Sequence, residues 1–486
     1  MWMEGNTGET TSLRKGAIGT WQGVFQSFSF VGPAADVAIL LIGTFAFAGA
    51  SSALSVLLAW LIYGLWMITP YQFSKFKANA GSYYSYAAGS TKKGMLGPPA
   101  LVSWMGENLT GQSFGILGFA SFIYLLSSRI SSIPYIWVAF SVAITLYMFI
   151  LPYLGIRPSL NYVAVTGFAE AMFLLLGSII IIVRVGHANT LVPFTIPAGA
   201  LSAVLFGTVF SILDFTGLGT VTTTSEEIRD PKKRVRRSLI IAWALSGLAL
   251  IPAAYALTVG WGIGNISSYA SSPDPGLLVF RKYLGVAGFI LLIIFTANSY
   301  FSYGVAKTNA VSRIWFSAAR DGVVFPKGLS RVHRRYRTPS NAMLVWLTAS
   351  FVIDMILGSI FGPENGALIL LTTAGIAIIF VHIYANTGLS LYYRSLRRED
   401  RSLLYQVVAP TVSSVLGIVV IFYSVQSTVQ SYTSSPSAIN LAYLVATVVA
   451  LVLGAVIGPA VSLYYSRSKP AVLERAGEYD AESSYT

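Results

Sequence analysis

The chain has 486 residues, of which 55% are apolar and only 10% charged, and its formal net charge is +13. Ordinary globular domains carry roughly 25% charged residues, and a mean hydropathy of +0.66 is more apolar surface than so few charges can screen from water. These values exclude a water-soluble enzyme, a disordered scaffold and a secreted disulfide module, and point to an all-α polytopic membrane protein.

Residues 1–15 are polar, include Glu4 and Glu9, and lack the basic-then-apolar pattern of a signal peptide. They read as a cytoplasmic N-terminal segment. Twelve apolar stretches follow, at 17–46, 50–71, 96–126, 133–153, 159–183, 198–224, 238–262, 279–311, 341–361, 366–392, 404–428 and 438–465. Each approaches or exceeds the roughly 20 residues a membrane-crossing helix needs, and the longest call for tilt or an internal break. Residues 73–93, with Lys75, Lys77, Gly81, Lys92 and Lys93, are more polar and fit an interfacial turn or short helix. Residues 466–486, with Glu474, Glu478, Asp480 and Glu482, read as a short, acidic, disordered cytoplasmic tail.

Lysine and arginine gather in alternate connectors, around 14–15, 75–93, 157, 229–237, 313–337, 394–401 and the tail. By the excess of positive charge in cytoplasmic loops, both termini of this cell-membrane protein are expected in the cytoplasm. No base-stacking aromatics surround these charges, so they imply topology and anionic lipid headgroups as partners rather than nucleic acid. With no cysteine, and with His187, His333 and His382 far apart in sequence, neither a thiolate site nor a histidine metal centre is expected. No G-x-x-x-x-G-K-[ST] stretch is present, so nucleotide-driven transport would need a separate subunit.

Two spans carry helix breakers at membrane depth. In the first, Gly32 precedes Pro33, which removes a donor, disfavours helix at Gly32 and suits the first turn of a new helix. In the sixth, Asp214-Phe215-Thr216-Gly217-Leu218-Gly219 leads into a run of β-branched residues, a poor helix. Breaks at corresponding positions five spans apart are what an inverted repeat of five plus five helices produces, with a site between them. Amides freed after Gly32 suit a carboxylate, and carbonyls around Leu213 to Thr216 suit an ammonium, which together describe an α-amino acid.

The sequence resembles the amino acid–polyamine–organocation (APC) superfamily of permeases over about residues 13–465. The motifs are Phe215-Thr216-Gly217 followed by Ser225-Glu226-Glu227-Ile228-Arg229-Asp230-Pro231-Lys232-Lys233, then Ser312-Arg313, Ala319-Arg320-Asp321-Gly322, Pro326, His333-Arg334 and Thr338-Pro339, together with Gly81-Ser82-Tyr83-Tyr84. The resemblance implies a core over 16–392, with repeats at 16–184 and 198–392, two peripheral helices over 404–465, and alternating access. It implies substrate-carboxylate contacts on Val31, Gly32, Pro33 and Ala34, and substrate-amine contacts on Leu213, Asp214 and Thr216. The sequence departs from the family where Gly219 stands in place of a common glutamate, and where Phe30-Val31-Gly32-Pro33 replaces a G-x-G-type break.

Ionisable groups within spans are costly and are functional suspects by default. Asp36, Glu107 and Glu170 are coupling candidates, with a proton ahead of sodium as the coupling ion and no other cofactor. Lys307 either snorkels toward the cytoplasm or replaces a coupling sodium beside Asn298, Ser299 or Ser302. Phe30, Trp104, Phe215 and Asn298 are candidates for a side-chain pocket or gate. Asp354 and His382 receive no role. The leading expectation is a monomeric secondary amino acid transporter, by proton symport or exchange. The alternatives are a polyamine or other organic-amine permease, for which Asp36 and Asp214 would supply acidity, and a non-transporting nutrient sensor. A membrane-embedded enzyme lacks any grouped catalytic set.

Overall fold

The computed structural model describes residues 12–481. Among these residues the architecture is helical throughout, with one isolated bridge between Ile18 and Ile228. Among the described residues nine helical stretches are long and apolar enough to cross a membrane. The first of them, Thr20–Phe73, runs for 54 residues and contains both the expected break at Gly32 and a sharp corner at Gly49 (φ +51°). Leu201–Leu213 is apolar but shorter, because the chain leaves the helix at Asp214. The expected span 96–126 is divided into Gly97–Thr110, a π-helical turn Phe114–Gly118 and Phe119–Leu125. Pro275–Asp321 kinks at Gly285, whose φ is +71°.

The helix Thr20–Val31 lies at the centre, buried from Gly23 through Val31, and its buried polar side chains find partners: Gln26 donates to the Ala306 carbonyl, Ser27 Oγ accepts from Val221 N–H and Ser29 donates to the Val163 carbonyl. It packs against Ile156–Val185, Pro231–Trp261 and Pro275–Asp321. The helix Pro363–Tyr392 joins Gly97–Thr110 to Ala409–Ser434 and Ala438–Val452. The last two expose Val412, Val415, Phe422, Leu441 and Val445, the outward apolar face that lipid requires. Small residues bring helices together: Gly64 lies under Trp243 and Gly247 under Trp60. The two indoles stack at 4.0 Å, and each donates its N–H to the other's carbonyl.

Two polar segments pack into the protein. Within 73–93, the expected short helix forms at Ser82–Ala88 and is wholly buried, and Asn79 Oδ1 before it accepts hydrogen bonds from Gly81 N–H, Ser85 Oγ and Ser317 Oγ. The C-terminal tail is ordered through Ala481. Pro470–Arg475 is helical, Lys77 Nζ and Asn79 Nδ2 donate to the carbonyls of Gly477 and Tyr479, and Gly477 N–H donates to Asp321. Asp480 pairs with Lys232, and Arg320 stacks over the Tyr479 ring. The acids that make the tail look disordered in isolation are matched by the basic connectors it meets. Burial lowers the Lys77 pKa, against the pull of Asp480, Glu478 and Asp321. Residues 482–486, and with them Glu482, lie outside the described residues, as do residues 1–11 of the N-terminal segment.

Candidate functional site between two helix interruptions

At the first interruption Gly32 adopts φ +79°, a left-handed conformation open to glycine, and Pro33 begins the next helical turn. A helix stopped and restarted in this way frees backbone amides at its second start. The amide of Ala34 is already engaged: it donates to Glu170 Oε1 at 2.8 Å. Glu170 also accepts from Ser299 Oγ at 2.7 Å and from Asn298 Nδ2 at 3.3 Å, and Tyr162 donates its hydroxyl to Asn298 Oδ1. Thr296 donates to the Ala34 carbonyl. Of the sequence candidates, Ala34, Glu170, Asn298 and Ser299 thus form one cluster, in which an internal carboxylate takes the place drawn for a substrate's.

The second interruption begins where Leu201–Leu213 ends. The Leu213 carbonyl accepts from Thr216 N–H at 3.0 Å, and Gly217, at φ +106°, donates its N–H to Tyr63 Oη. From Thr220 to Glu227 the chain is a tight 3₁₀ helix. The hydroxyls of Thr220, Thr222, Thr223 and Thr224 each return to a carbonyl three residues back, sharing it with the backbone, as at Gly217 and Gly219, whose carbonyls also accept from Thr220 N–H and Thr222 N–H.

A cavity of about 50 Å³ lies between the interruptions. Phe30 and Val31 bound it from the first, Leu213 and Thr216 from the second, and Glu107 and Gly111 from a third side. Leu40, Phe114, Tyr303, Leu371, Ala374 and Gly375 complete an aromatic and aliphatic wall. Sequence reasoning missed these six and Gly111, since each is an ordinary apolar or small residue until the fold brings it to the cavity. Gly32, Pro33, Ala34, Asp214, Phe215, Trp104 and Asn298 do not line it. Trp104 packs edge-on against Tyr83 instead.

The buried charges divide into three groups. Lys307 neither snorkels nor lies with Asn298 and Ser299: its ammonium is 2.6 Å from Glu107 Oε1 and wholly buried, because Glu107 on Gly97–Thr110 supplies the opposite charge. The rings of Phe30 and Tyr303 flank that ammonium at 5.5 and 5.6 Å. Asp36 makes no side-chain hydrogen bond, and Asp214 Oδ2 makes none, though both residues are buried. At the polar end of the bundle, Arg313 forms a two-point pair with Glu227 and also donates to the Asn309 carbonyl. Arg320 grips Glu226, whose Oε1 also accepts from Ala80 N–H at 2.9 Å. The motifs 79–85, 225–227 and 312–321, remote in sequence, therefore meet in one network. Among the described residues no three His, Asp or Glu side chains group as metal ligands.

An all-helical bundle with several apolar spans, folded around helices interrupted at a shared cavity, defines a multi-pass membrane transporter rather than an enzyme. The chain belongs to the amino acid permease family, whose pattern it matches over residues 24–474. It is 27% identical over 323 residues to a low-affinity putrescine importer, PlaP, of Escherichia coli (strain K12), covering 62% of this chain and 67% of that one. It is 27% identical over 203 residues to the branched-chain amino acid permease BcaP of Lactococcus lactis subsp. cremoris (strain MG1363), covering 42% of this chain and 40% of that one. Among solved structures, a point mutant of a manganese transporter from Eremococcus coleocola superposes with a TM-score of 0.56 over 94% of both chains at 12% identity, a likeness of fold alone.

Proposed function

We propose that the protein is a secondary active transporter that moves an amino acid with an apolar side chain across the cytoplasmic membrane by alternating access. The observation that carries this reading is the cavity bounded by both helix interruptions, with one carboxylate, Glu107, and Thr216 set in a mainly aromatic and aliphatic lining. The substrate's ammonium meets Glu107 and the carbonyls at Leu213, Asp214 and Thr216. Its carboxylate approaches the first interruption at Val31, the residue there that lines the cavity, and its side chain packs against Phe30, Phe114 and Tyr303. Ligand pockets usually span about 300–1,000 Å³, so a cavity of about 50 Å³ has to widen to hold an amino acid.

The same reading counts twelve crossings. A 54-residue stretch exceeds a hydrocarbon core of about 30 Å at about 1.5 Å per residue, so Thr20–Phe73 counts twice. Gly97–Leu125 and Leu201–Glu227 supply the interrupted remainder. Ten of the twelve form the inverted repeats and the last two are peripheral, with both termini cytoplasmic and anionic headgroups against the basic connectors. A proton is the coupling ion, and Glu170, joined to the first interruption and to Asn298 and Ser299, is its carrier.

A second reading, transport of an organic amine, draws on different observations. The Ala34 amide is held by Glu170, while Asp36 and Asp214 Oδ2 lack hydrogen-bond partners, an arrangement that suits a second positive charge on the cargo. Reconstitution into liposomes with a panel of labelled amino acids and amines separates the readings. Uptake of leucine-like substrates driven by an inward proton gradient supports the first, uptake of putrescine alone supports the second, and no uptake of either refutes both.

A further inference from the structure

Among the described residues that line the cavity, Glu107 alone carries a charged side chain. Lys307 stands directly behind that lining. Its ammonium is 2.6 Å from Glu107 Oε1 and lies 5.5 and 5.6 Å from the ring centres of Phe30 and Tyr303. A Cβ placed on Gly111 would come within 2.5 Å of it. All four of these neighbours bound the cavity, so the ammonium sits against its wall at every contact. Asp36 and Asp214 are buried but do not line it. Whichever member of the Glu107–Lys307 pair holds the proton, the pair sums to zero, and the unloaded cavity has a neutral wall.

That neutrality constrains the cargo. Lys307 engages Glu107 Oε1, and among the described residues no hydrogen bond engages Oε2. An ionised carboxylate accepts at both oxygens, so an arriving ammonium can take Oε2 while Lys307 keeps Oε1. One carboxylate then serves two ammonium groups, and a buried charge is tolerated only when it is paired. The missing negative charge has to come from the cargo itself. An α-amino acid supplies it in its own carboxylate, and the Lys307 ammonium, with three donors of which one is committed to Glu107, has donors left to receive it. A diamine supplies a second ammonium instead, and the lining holds no further acid to meet it.

We propose that Lys307 is the specificity-determining residue of this cavity: by cancelling Glu107 it admits a zwitterion, which carries its own negative charge, and rejects a diamine. Lys307 acts in this way only if the cavity is the substrate site, the reading on which this inference rests. Within that reading it selects the class of cargo by charge, while the aromatic and aliphatic wall selects the side chain.

The test is equilibrium binding of leucine and of putrescine to the purified full chain, read as the ratio of the two affinities. Wild type should favour leucine. Lys307→Met leaves Glu107 as an unpaired acid, and the ratio should swing toward putrescine by roughly a hundredfold, the scale on which like charges brought together in a dry site discriminate. Lys307→Arg keeps the charge and should keep the preference for leucine. Lys307→Met/Glu107→Gln returns the wall to neutrality and should again favour leucine, with both affinities lowered, a reversal that lost packing does not produce. A ratio unchanged in Lys307→Met, or a double variant that favours putrescine, overturns the assignment. Should Lys307→Met not fold, the double variant and Lys307→Arg decide, and a preference for putrescine in either overturns it. Wild type that favours putrescine overturns this inference and the amino acid reading together, and wild type that binds neither probe overturns the cavity as the substrate site. Wild type that favours leucine, with a ratio indifferent to Lys307→Met, overturns this inference alone.

Discussion

Replacing Glu170 by glutamine alters a single atom in the cluster that clamps the first helix interruption. The carboxylate accepts three hydrogen bonds, from Ala34 N–H at 2.8 Å, Ser299 Oγ at 2.7 Å and Asn298 Nδ2 at 3.3 Å. Bonds to a charged acceptor contribute about 1.5–3 kcal/mol each against about 0.5–1.5 for neutral ones. Glutamine keeps Oε1 for Ala34 and Ser299 but sets its NH2 against Asn298 Nδ2, so the change forfeits about 4–6 kcal/mol over the three bonds. Against this, a buried carboxylate carries a desolvation penalty of about several kcal/mol that the amide escapes. The two nearly cancel, so Glu170→Gln should fold with a melting temperature close to wild type, its Oε1 still accepting from Ala34. What it loses is the ability to take up and release a proton. In liposomes the variant should exchange labelled for unlabelled substrate at close to the wild-type rate but fail to accumulate substrate under an inward proton gradient. Proton-driven accumulation within twofold of wild type would refute the assignment of Glu170 as carrier, and loss of both activities with an intact fold would make it a binding residue instead.

Other positions give sharper structural tests. A Cβ at Gly111 would lie 2.5 Å from Lys307 Nζ and 2.7 Å from Glu107 Oε1, so Gly111→Ala should force the ion pair apart, cost about 1–3 kcal/mol by overpacking and depress uptake, read by thermal unfolding and transport together. Arg313→Met strands the buried Glu227 and should destabilise by about 3–5 kcal/mol, much of it recovered in Arg313→Met/Glu227→Gln; an additive double variant would refute the pairing argument. Deleting residues 476–486 uncovers the loop that holds Lys75 and Lys77, so trypsin should cut there far faster than in the full chain, with equal rates contradicting the docked tail.

The helix interruptions are legible in the sequence because their causes are local. Gly32 before Pro33, and Gly217 amid threonines, are backbone statements any reader of sequence can make. The identity of what meets them is not. Glu170 reaches Ala34 across 136 positions, and Lys307 reaches Glu107 across 200. Both pairings depend on which helix faces which, and an apolar sequence with lipid on one side and protein on the other gives little direction. Closeness along the chain puts Lys307 near Asn298 and Ser299, but helical rotation points it toward Gly97–Thr110 instead. The tail misleads for the opposite reason. Its composition is that of a solvated acidic segment, and only the basic surface contributed by Lys77, Lys232 and Arg320 turns it into a docked one.

That docking carries a consequence for how the protein is made. Gly477 and Tyr479 bind side chains 400 positions earlier in the chain. At about 5–20 residues per second, the ribosome takes roughly 20–80 s to travel from one partner to the other. Throughout that interval the loop after Phe73 waits without the partners that Lys77, Ala78 and Asn79 meet in the folded protein, and this face of the bundle is sealed only once Gly477 and Tyr479 have emerged.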